Sequence, residues 1–246
     1  MNDLASILAD GPLAHLLTPP AEADRQQRPD EQVVLEQETR AKRKEILVDL
    51  GIPEKHAGIL ASRKPDQTFA IKTVRAWLAG DRKVLVLLGP HDAGKTFAAA
   101  AALSYAFDKW VASLTRGPAP RMVPAELLHK AWLHRGDGLE RCTRANDDLL
   151  LTCPLLVIDD LAQEPAEVSH ITIEAVDTLL RARSDAGRRT LITSNLVDLP
   201  AFLAHVAERG KRDQRVGERL TEYGAWRACP VEGYRRRSRG EEGSAT

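Results

Sequence analysis

Three short stretches hold residues able to do chemistry: GPHDAGKT (89–96), LLVIDDL (155–161) and LITSN (191–195). The first matches G-x-x-x-x-G-K-S/T at Gly89, Gly94, Lys95 and Thr96. Glycines at these positions let the backbone turn tightly and approach an anion closely. Successive N–H groups, together with the start of a following helix, then form a hollow that binds phosphate. Lys95 offers a cation to the β- and γ-phosphates of a nucleoside triphosphate, and the Thr96 hydroxyl is placed for Mg²⁺. The hollow would be lined by Gly89, Pro90, His91, Asp92, Ala93, Gly94, Lys95, Thr96 and Phe97. Asp92 stands where many such loops carry glycine. Aspartate tolerates left-handed backbone better than most residues, and its carboxylate must point away from the phosphate. His91 reads as a solvent-facing loop residue.

A Mg²⁺–ATP site also needs an acid at the end of a neighbouring strand. Asp159 closes the apolar run LLVI and is the expected metal ligand, directly or through water. Asp160 is placed to orient and polarise an attacking water. In the third stretch Thr193, Ser194 and Asn195 end an apolar run. If this strand lies between the other two, a polar side chain there reaches the γ-phosphate and the attacking water; Asn195 is the candidate. Paired aspartates and a Ser-Asn are each common at strand ends, so it is their order that is informative.

The elements that must hold these residues follow from periodicity. KVLVLLG (83–89), CPLLVIDDL (153–161) and RRTLITSN (188–195) are apolar runs too short for helices, as buried parallel strands are. A helix begins at about Lys95 and runs through an alanine-rich segment. RMVP (121–124) predicts a strand followed by a helix over AELLHKAWL. Residues 171–187 predict a helix, and 215–224 a last helix before a weaker strand near Trp226–Val231. Upstream, 2–9 reads as a short amphipathic helix and 18–30 as a polar, proline-bearing linker. Residues 31–50 predict a charged helix stopped by Gly51, with a short helix opened by Pro53. Residues 66–79 predict an amphipathic helix with Ile71, Val74 and Leu78 on one face, stopped by Gly80. Strand–helix alternation implies a parallel sheet covered on both faces, an α/β fold.

In this order the parts resemble the AAA+ ATPases, and more narrowly the DnaC/IstB group of helicase loaders and transposition helpers. The resemblance covers about residues 50–238. It is carried by GPHDAGKT, LLVIDDL, LITSN, RVGERL (215–220) and GYRRRSR (233–239), with LGIPEKHAGIL (50–60) leading into the core. It implies a P-loop NTPase of AAA+ type, with a five-stranded parallel sheet in the order 5-1-4-3-2, flanked by helices and preceded by a small helical N-terminal region. It implies ATP and Mg²⁺ as cofactors and an ATP-dependent homo-oligomer, in which an arginine of one subunit completes the site of its neighbour. The matching position is Arg219, with Arg215 one turn earlier as second choice. The organisation expected is a partner-docking region over 1–50, an ATPase core over 51–238 and a disordered tail over 239–246.

Charge distribution adds to this. Lysines and arginines (35) balance aspartates and glutamates (35) overall. Residues 1–40 nevertheless carry eight acidic and three basic side chains, and residues 209–239 ten basic and four acidic. The basic C-terminal segment suits DNA, single- or double-stranded, held through Lys/Arg–phosphate contacts. Trp226 and Tyr234 are candidates for base stacking. Leu4, Ile7 and Leu8 form an apolar stripe suited to a partner's groove, the partner being a replicative helicase or a transposase. Three scattered cysteines imply neither a zinc site nor a disulfide framework. No apolar run approaches a membrane span, so a cytoplasmic protein without a membrane partner is expected. A DnaC-like helicase loader with DNA-stimulated, slow ATP hydrolysis is the leading functional expectation. The alternatives are an IstB-like transposition helper, a small-molecule P-loop kinase and a nucleotide-gated structural protein.

Overall fold

The computed structural model describes residues 29–62, 65–114, 117–128, 149–163, 166–209, 217, 218, 220, 222 and 224–230. The expected helix at 2–9, most of the linker at 18–30, Arg215, Arg219, Tyr234, the arginines from 235 onward and the tail lie outside the described residues. The chain divides into two units, 1–43 and 44–246. In the first, the described residues are helical, with an ion pair between Arg40 and Glu36 at 2.9 Å, one turn apart. Apart from the start of the helix that runs on from the first unit, everything that follows concerns the second.

Helix α1 (Pro29–Asp49) is opened by proline, whose missing N–H costs nothing at a first helical position. It stops at Gly51, which sits at φ +94. A Cβ there would lie 1.9 Å from the Met122 carbonyl oxygen, so only glycine lets the chain pass this close. Helix α2 spans Glu54–Ser62 and α3 spans Phe69–Ala79. The start of α3 falls after the expected residue 66 because Thr68 is the N-cap, its hydroxyl accepting from the Ile71 amide. Its buried face is Ile71, Val74 and Trp77, with Leu78 only half-buried. Gly80 ends α3 in an extended conformation, not a left-handed one. The terminal carbonyls of α3 are instead met by the Arg189 guanidinium, which donates to Trp77 O (2.7 Å) and Gly80 O (2.6 Å).

Strand β1 (Val84–Leu88) follows, then α4 (Lys95–Ala112), β2 (Arg121–Pro124), β3 (Leu155–Leu161), α5 (Ala166–Asp185), β4 (Arg189–Ser194), α6 (Leu199–Arg209) and β5 (Gly224–Ala228). The five strands form one parallel sheet in the order β2-β3-β4-β1-β5. This is the expected order. It sets β4 between the strand that feeds the glycine loop and the strand that carries the acids. Side chains alternate between faces: Leu85, Leu87, Val157 and Leu191 join the core with α2, α3 and α4, while Val84, Val86, Ile158 and Ile192 join the core with α5 and α6. The buried Ala98, Ala99, Ala100 and Ala102 let α4 lie close over its face of the sheet.

Helix α6 has no counterpart among the sequence expectations. Asp198 caps it by accepting from the Ala201 amide at 2.8 Å, and Phe202 and Val206, one turn apart, are buried. Strand β5 begins and ends earlier than expected. Among the described residues it pairs only with β1, in register Val84↔Gly224 to Leu88↔Ala228. The Cys229 amide adds one more bond to Leu88 O, and Pro230 has no N–H with which to continue. Inside the fold the Arg183 guanidinium is fully buried and joins α5 to the sheet, donating to Thr190 Oγ1 and to the Arg189 carbonyl. Among the described residues no helix is long and apolar enough to cross a membrane.

Candidate nucleotide site

The loop between β1 and α4 has the left-handed backbone its sequence requires: φ is +132 at Gly89, +66 at Asp92 and +76 at Gly94. Asp92 adopts the conformation for which glycine is usual, and both it and His91 are exposed. Gly89 donates its amide to Leu196 O at 2.7 Å, and its missing side chain makes room for β5: a Cβ would lie 2.6 Å from Cys229 O. Gly89→Ala is therefore expected to cost about 2 kcal/mol or more from backbone strain and clash together. The test is the urea unfolding midpoint. Gly94 precedes α4 without any side-chain cap, which leaves the helix N-terminus electropositive and suited to an anion.

Lys95 is buried, and its ammonium is folded back onto the loop. It donates to Gly89 O (2.7 Å), Pro90 O (2.8 Å) and Asn195 Oδ1 (2.9 Å). Burial lowers its pKa, opposed by its interactions with Cys229 and with the carboxylates of Asp160, Asp159 and Asp92 around it. Asn195 passes the contact on, its Nδ2 donating to Asp160 Oδ1 at 3.1 Å. A lysine from the start of α4, an asparagine just after β4 and an aspartate near the end of β3 thus form one chain of hydrogen bonds.

Asp159 is buried beside them. Burial raises its carboxyl pKa to about 6, and the negative charge of Asp160 adds to this; hydrogen bonds from Thr193 and Thr96 and the charge of Lys95 pull the other way. The Thr193 hydroxyl donates to Asp159 Oδ1 at 2.6 Å. Asp159 closes the apolar run but lies inside the strand, which ends at Leu161 as the expected span 153–161 does and starts two residues later, at Leu155. Leu161 re-enters the sheet opposite Ser194, and Asp160 takes φ +57 within the irregularity. Thr193, expected to face the phosphate, is instead fully buried with its hydroxyl turned to the two acids.

The rest of the predicted lining divides by burial. Ala93 is buried and Pro90 partly so, its carbonyl serving Lys95. The ring of Phe97 is buried, edge-on to His56 with ring centroids 5.4 Å apart, so any contribution to the hollow comes from its main chain. Two residues here went unnoticed in the sequence. His56 packs under α4 with its pKa lowered by burial, and Cys229 abuts Gly89 with its thiol pushed up to about 11 by burial. His56 lies within LGIPEKHAGIL and Cys229 in no motif; in both cases only proximity in the fold reveals the contact. Arg215 and Arg219 are not among the described residues.

The donor set fits Mg²⁺. That ion takes hard oxygen ligands, commonly one or two carboxylates with substrate phosphates in place of an all-protein cage. Asp159 and the Thr96 hydroxyl, close enough for Thr96 to lower the Asp159 pKa, are such donors. Among the described residues no group of three or more His, Cys, Asp or Glu could form a cage on its own.

Solved structures share this fold. Domain III of the Thermotoga maritima replication initiation protein DnaA matches with a TM-score of 0.50 at 14% identity, over 69% of this chain and 65% of that one. The fold is that of an AAA+ P-loop NTPase. A DnaC helicase loader matches with a TM-score of 0.49 at 22% identity, over 67% of this chain and 92% of that one. A DNA replication initiation factor matches at 0.47 and 14% identity, and there the chain spans only 44% of the other's length. No family model and no curated protein sequence matches. Within the AAA+ fold, the glycine loop, Asp159–Asp160 and Asn195 stand at the carboxyl ends of β1, β3 and β4, where open α/β sheets bind ligands.

Proposed function

We propose that this chain binds and hydrolyses ATP as a DNA-associated AAA+ ATPase, a DnaC-like helicase loader in DNA replication. The observation that carries the reading is the convergence of Lys95, Asp159, Asp160 and Asn195 at one end of three neighbouring strands. In the proposed reaction the loop amides and Lys95 hold the β- and γ-phosphates, and Lys95 exchanges its present acceptors for phosphate oxygens. Asn195, released from Lys95, faces the γ-phosphate and the attacking water. Asp160, held by the Asn195 amide, takes up the water's proton. Thr96 and Asp159 would hold Mg²⁺, which when bound neutralises charge building on the transferred phosphoryl group. Arg219, or Arg215, of a neighbouring copy would complete the site, so ATP should promote assembly.

The DNA-associated part rests on the basic C-terminal segment. Within its described portion Trp226 and Arg227 are exposed on the edge strand β5. The likeness of RVGERL and GYRRRSR to the DnaC/IstB group supports a helicase loader, or as the second reading a transposition helper, with the acidic residues 1–50 as the docking region. The test is ATP turnover without any phosphate acceptor, with and without single- and double-stranded DNA, at two salt concentrations. Turnover stimulated by DNA, with DNA affinity falling at least about tenfold between 50 and 200 mM salt, is expected. ADP release that requires a small-molecule acceptor would turn the reading into that of a kinase. Turnover indifferent to DNA would remove the loader.

A further inference from the structure

We propose that Thr193 is the positioning residue for both acids of the site, filling with its side chain a gap in the sheet. β3 and β4 pair regularly up to Ile158↔Ile192 and again at Leu161↔Ser194. Between these pairs two residues, Asp159 and Asp160, face the single residue Thr193. That is a β-bulge, and a bulge leaves main-chain groups without ladder partners. The gap lies in the sheet interior, where an unpaired N–H is costly.

The Thr193 hydroxyl closes it with both of its functions. As an acceptor it takes the Asp160 amide at 2.9 Å, and as a donor it gives its only proton to Asp159 Oδ1 at 2.6 Å. One oxygen thereby holds the main chain of the residue that faces water and the carboxylate of the residue that faces metal. The left-handed turn at Asp160, φ +57, is unfavourable for a residue with a Cβ. It persists because the amide is held on one side by Thr193 and the carboxylate on the other by Asn195. Thr193 is wholly inaccessible to solvent, so it touches neither nucleotide nor water and acts through the two aspartates alone.

This inference rests on the ATPase reading for its catalytic meaning, but its geometric claim stands apart. The test compares the full chain with Thr193→Val, which keeps the shape and removes the hydroxyl, and Thr193→Ser, which keeps the hydroxyl. A fluorescent ATP analogue titrated in EDTA should bind all three proteins within about twofold, since the loop and Lys95 are intact. The Mg²⁺ concentration giving half-maximal turnover should rise about 10–100-fold in Thr193→Val, and kcat should fall by a similar factor with KM for ATP little changed. Thr193→Ser should recover both. In parallel, hydrogen exchange of the Asp160 amide should accelerate in Thr193→Val and return towards the parent rate in Thr193→Ser. Should Thr193→Val not fold, Thr193→Cys, of similar volume with a weaker donor, takes the same measurements. A valine variant with unaltered Asp160 exchange and Mg²⁺ dependence, or a serine variant as impaired as valine, overturns the proposal. A parent protein with no ATP turnover overturns the ATPase reading, and the exchange comparison then decides on Thr193 by itself.

Discussion

Lys95→Ala is expected to raise the dissociation constant for ATP at least about 100-fold, read by titration of a fluorescent nucleotide analogue. A hydrogen bond involving a charged group contributes about 1.5–3 kcal/mol. Losing even two such bonds to phosphate oxygens removes about 3 kcal/mol or more, two decades in affinity. The fold itself should change little. The ammonium is held at the expense of its hydration, as its lowered pKa records, so deleting it relieves a cost while two loop carbonyls and Asn195 lose a donor. These effects oppose one another, and the unfolding free energy should move by no more than about 1 kcal/mol. Lys95→Arg should not rescue binding. The position is 4% exposed, and a planar guanidinium is longer and presents its donors in a rigid fork, not as a point charge. Unaltered affinity in Lys95→Ala would mean that the loop does not hold phosphate, and the functional proposal would fall with it.

The parts of this site that were legible in the sequence are those in which local pattern and structure coincide. VLVLL and LLVI are apolar because those strands are covered on both faces, and GPHDAGKT has glycine at two of the three left-handed positions of the loop. The start of α4 at Lys95 also follows from that loop. Which strands are neighbours is not a local property. Alternation of strand and helix says that the sheet is parallel, whereas the placement of β4 between β1 and β3 came with the likeness to AAA+ proteins. The bulge was hidden because the run to residue 161 reads as a regular strand, and only its pairing with β4, Ile158↔Ile192 then Leu161↔Ser194, shows that two residues face one. The same reason hides the Arg189 cap on α3 and the Lys95–Asn195 contact: each is a tertiary hydrogen bond between residues about a hundred positions apart. Helix α6 was missed although its signals are local. Asp198 is a good N-cap and Phe202, Leu203 and Val206 give a helical stripe, but Pro200 in the first turn reads as a breaker unless the cap is recognised first.

Asp159→Asn should separate stability from metal use, in opposite directions. The Asp159 carboxyl has a pKa of about 6 in the folded chain against an ordinary value of 3.8, chiefly through burial. The folded protein therefore binds a proton here that the unfolded chain has already released between those two pH values. Stability from this group is complete below pH 3.8 and is lost as pH rises through 6, where the buried carboxyl must ionise. The cost at neutral pH is about 3 kcal/mol. Asparagine resembles the protonated acid in shape, its Oδ1 can still accept from Thr193, and it never ionises. The variant should be more stable than the parent by roughly 2–3 kcal/mol at pH 7.5, by about 1 kcal/mol at pH 4.5 and by little below pH 3.8, measured by urea unfolding across that range. Its Mg²⁺-dependent turnover should fall at least about 100-fold, because a neutral amide is a poor ligand for a hard cation. The parent's own turnover should decline as pH falls below about 6, since Mg²⁺ must then compete with a proton for the Asp159 oxygens. A variant no more stable than the parent at pH 7.5 would show that the carboxyl is not held at the cost its burial implies. A stabilised variant with undiminished Mg²⁺-dependent turnover would show that the metal is held elsewhere. A functional site whose ligand is strained by its own burial is stabilised when the metal arrives, so Mg²⁺ added to the nucleotide-bound chain should raise the melting temperature of the parent further and that of Asp159→Asn much less.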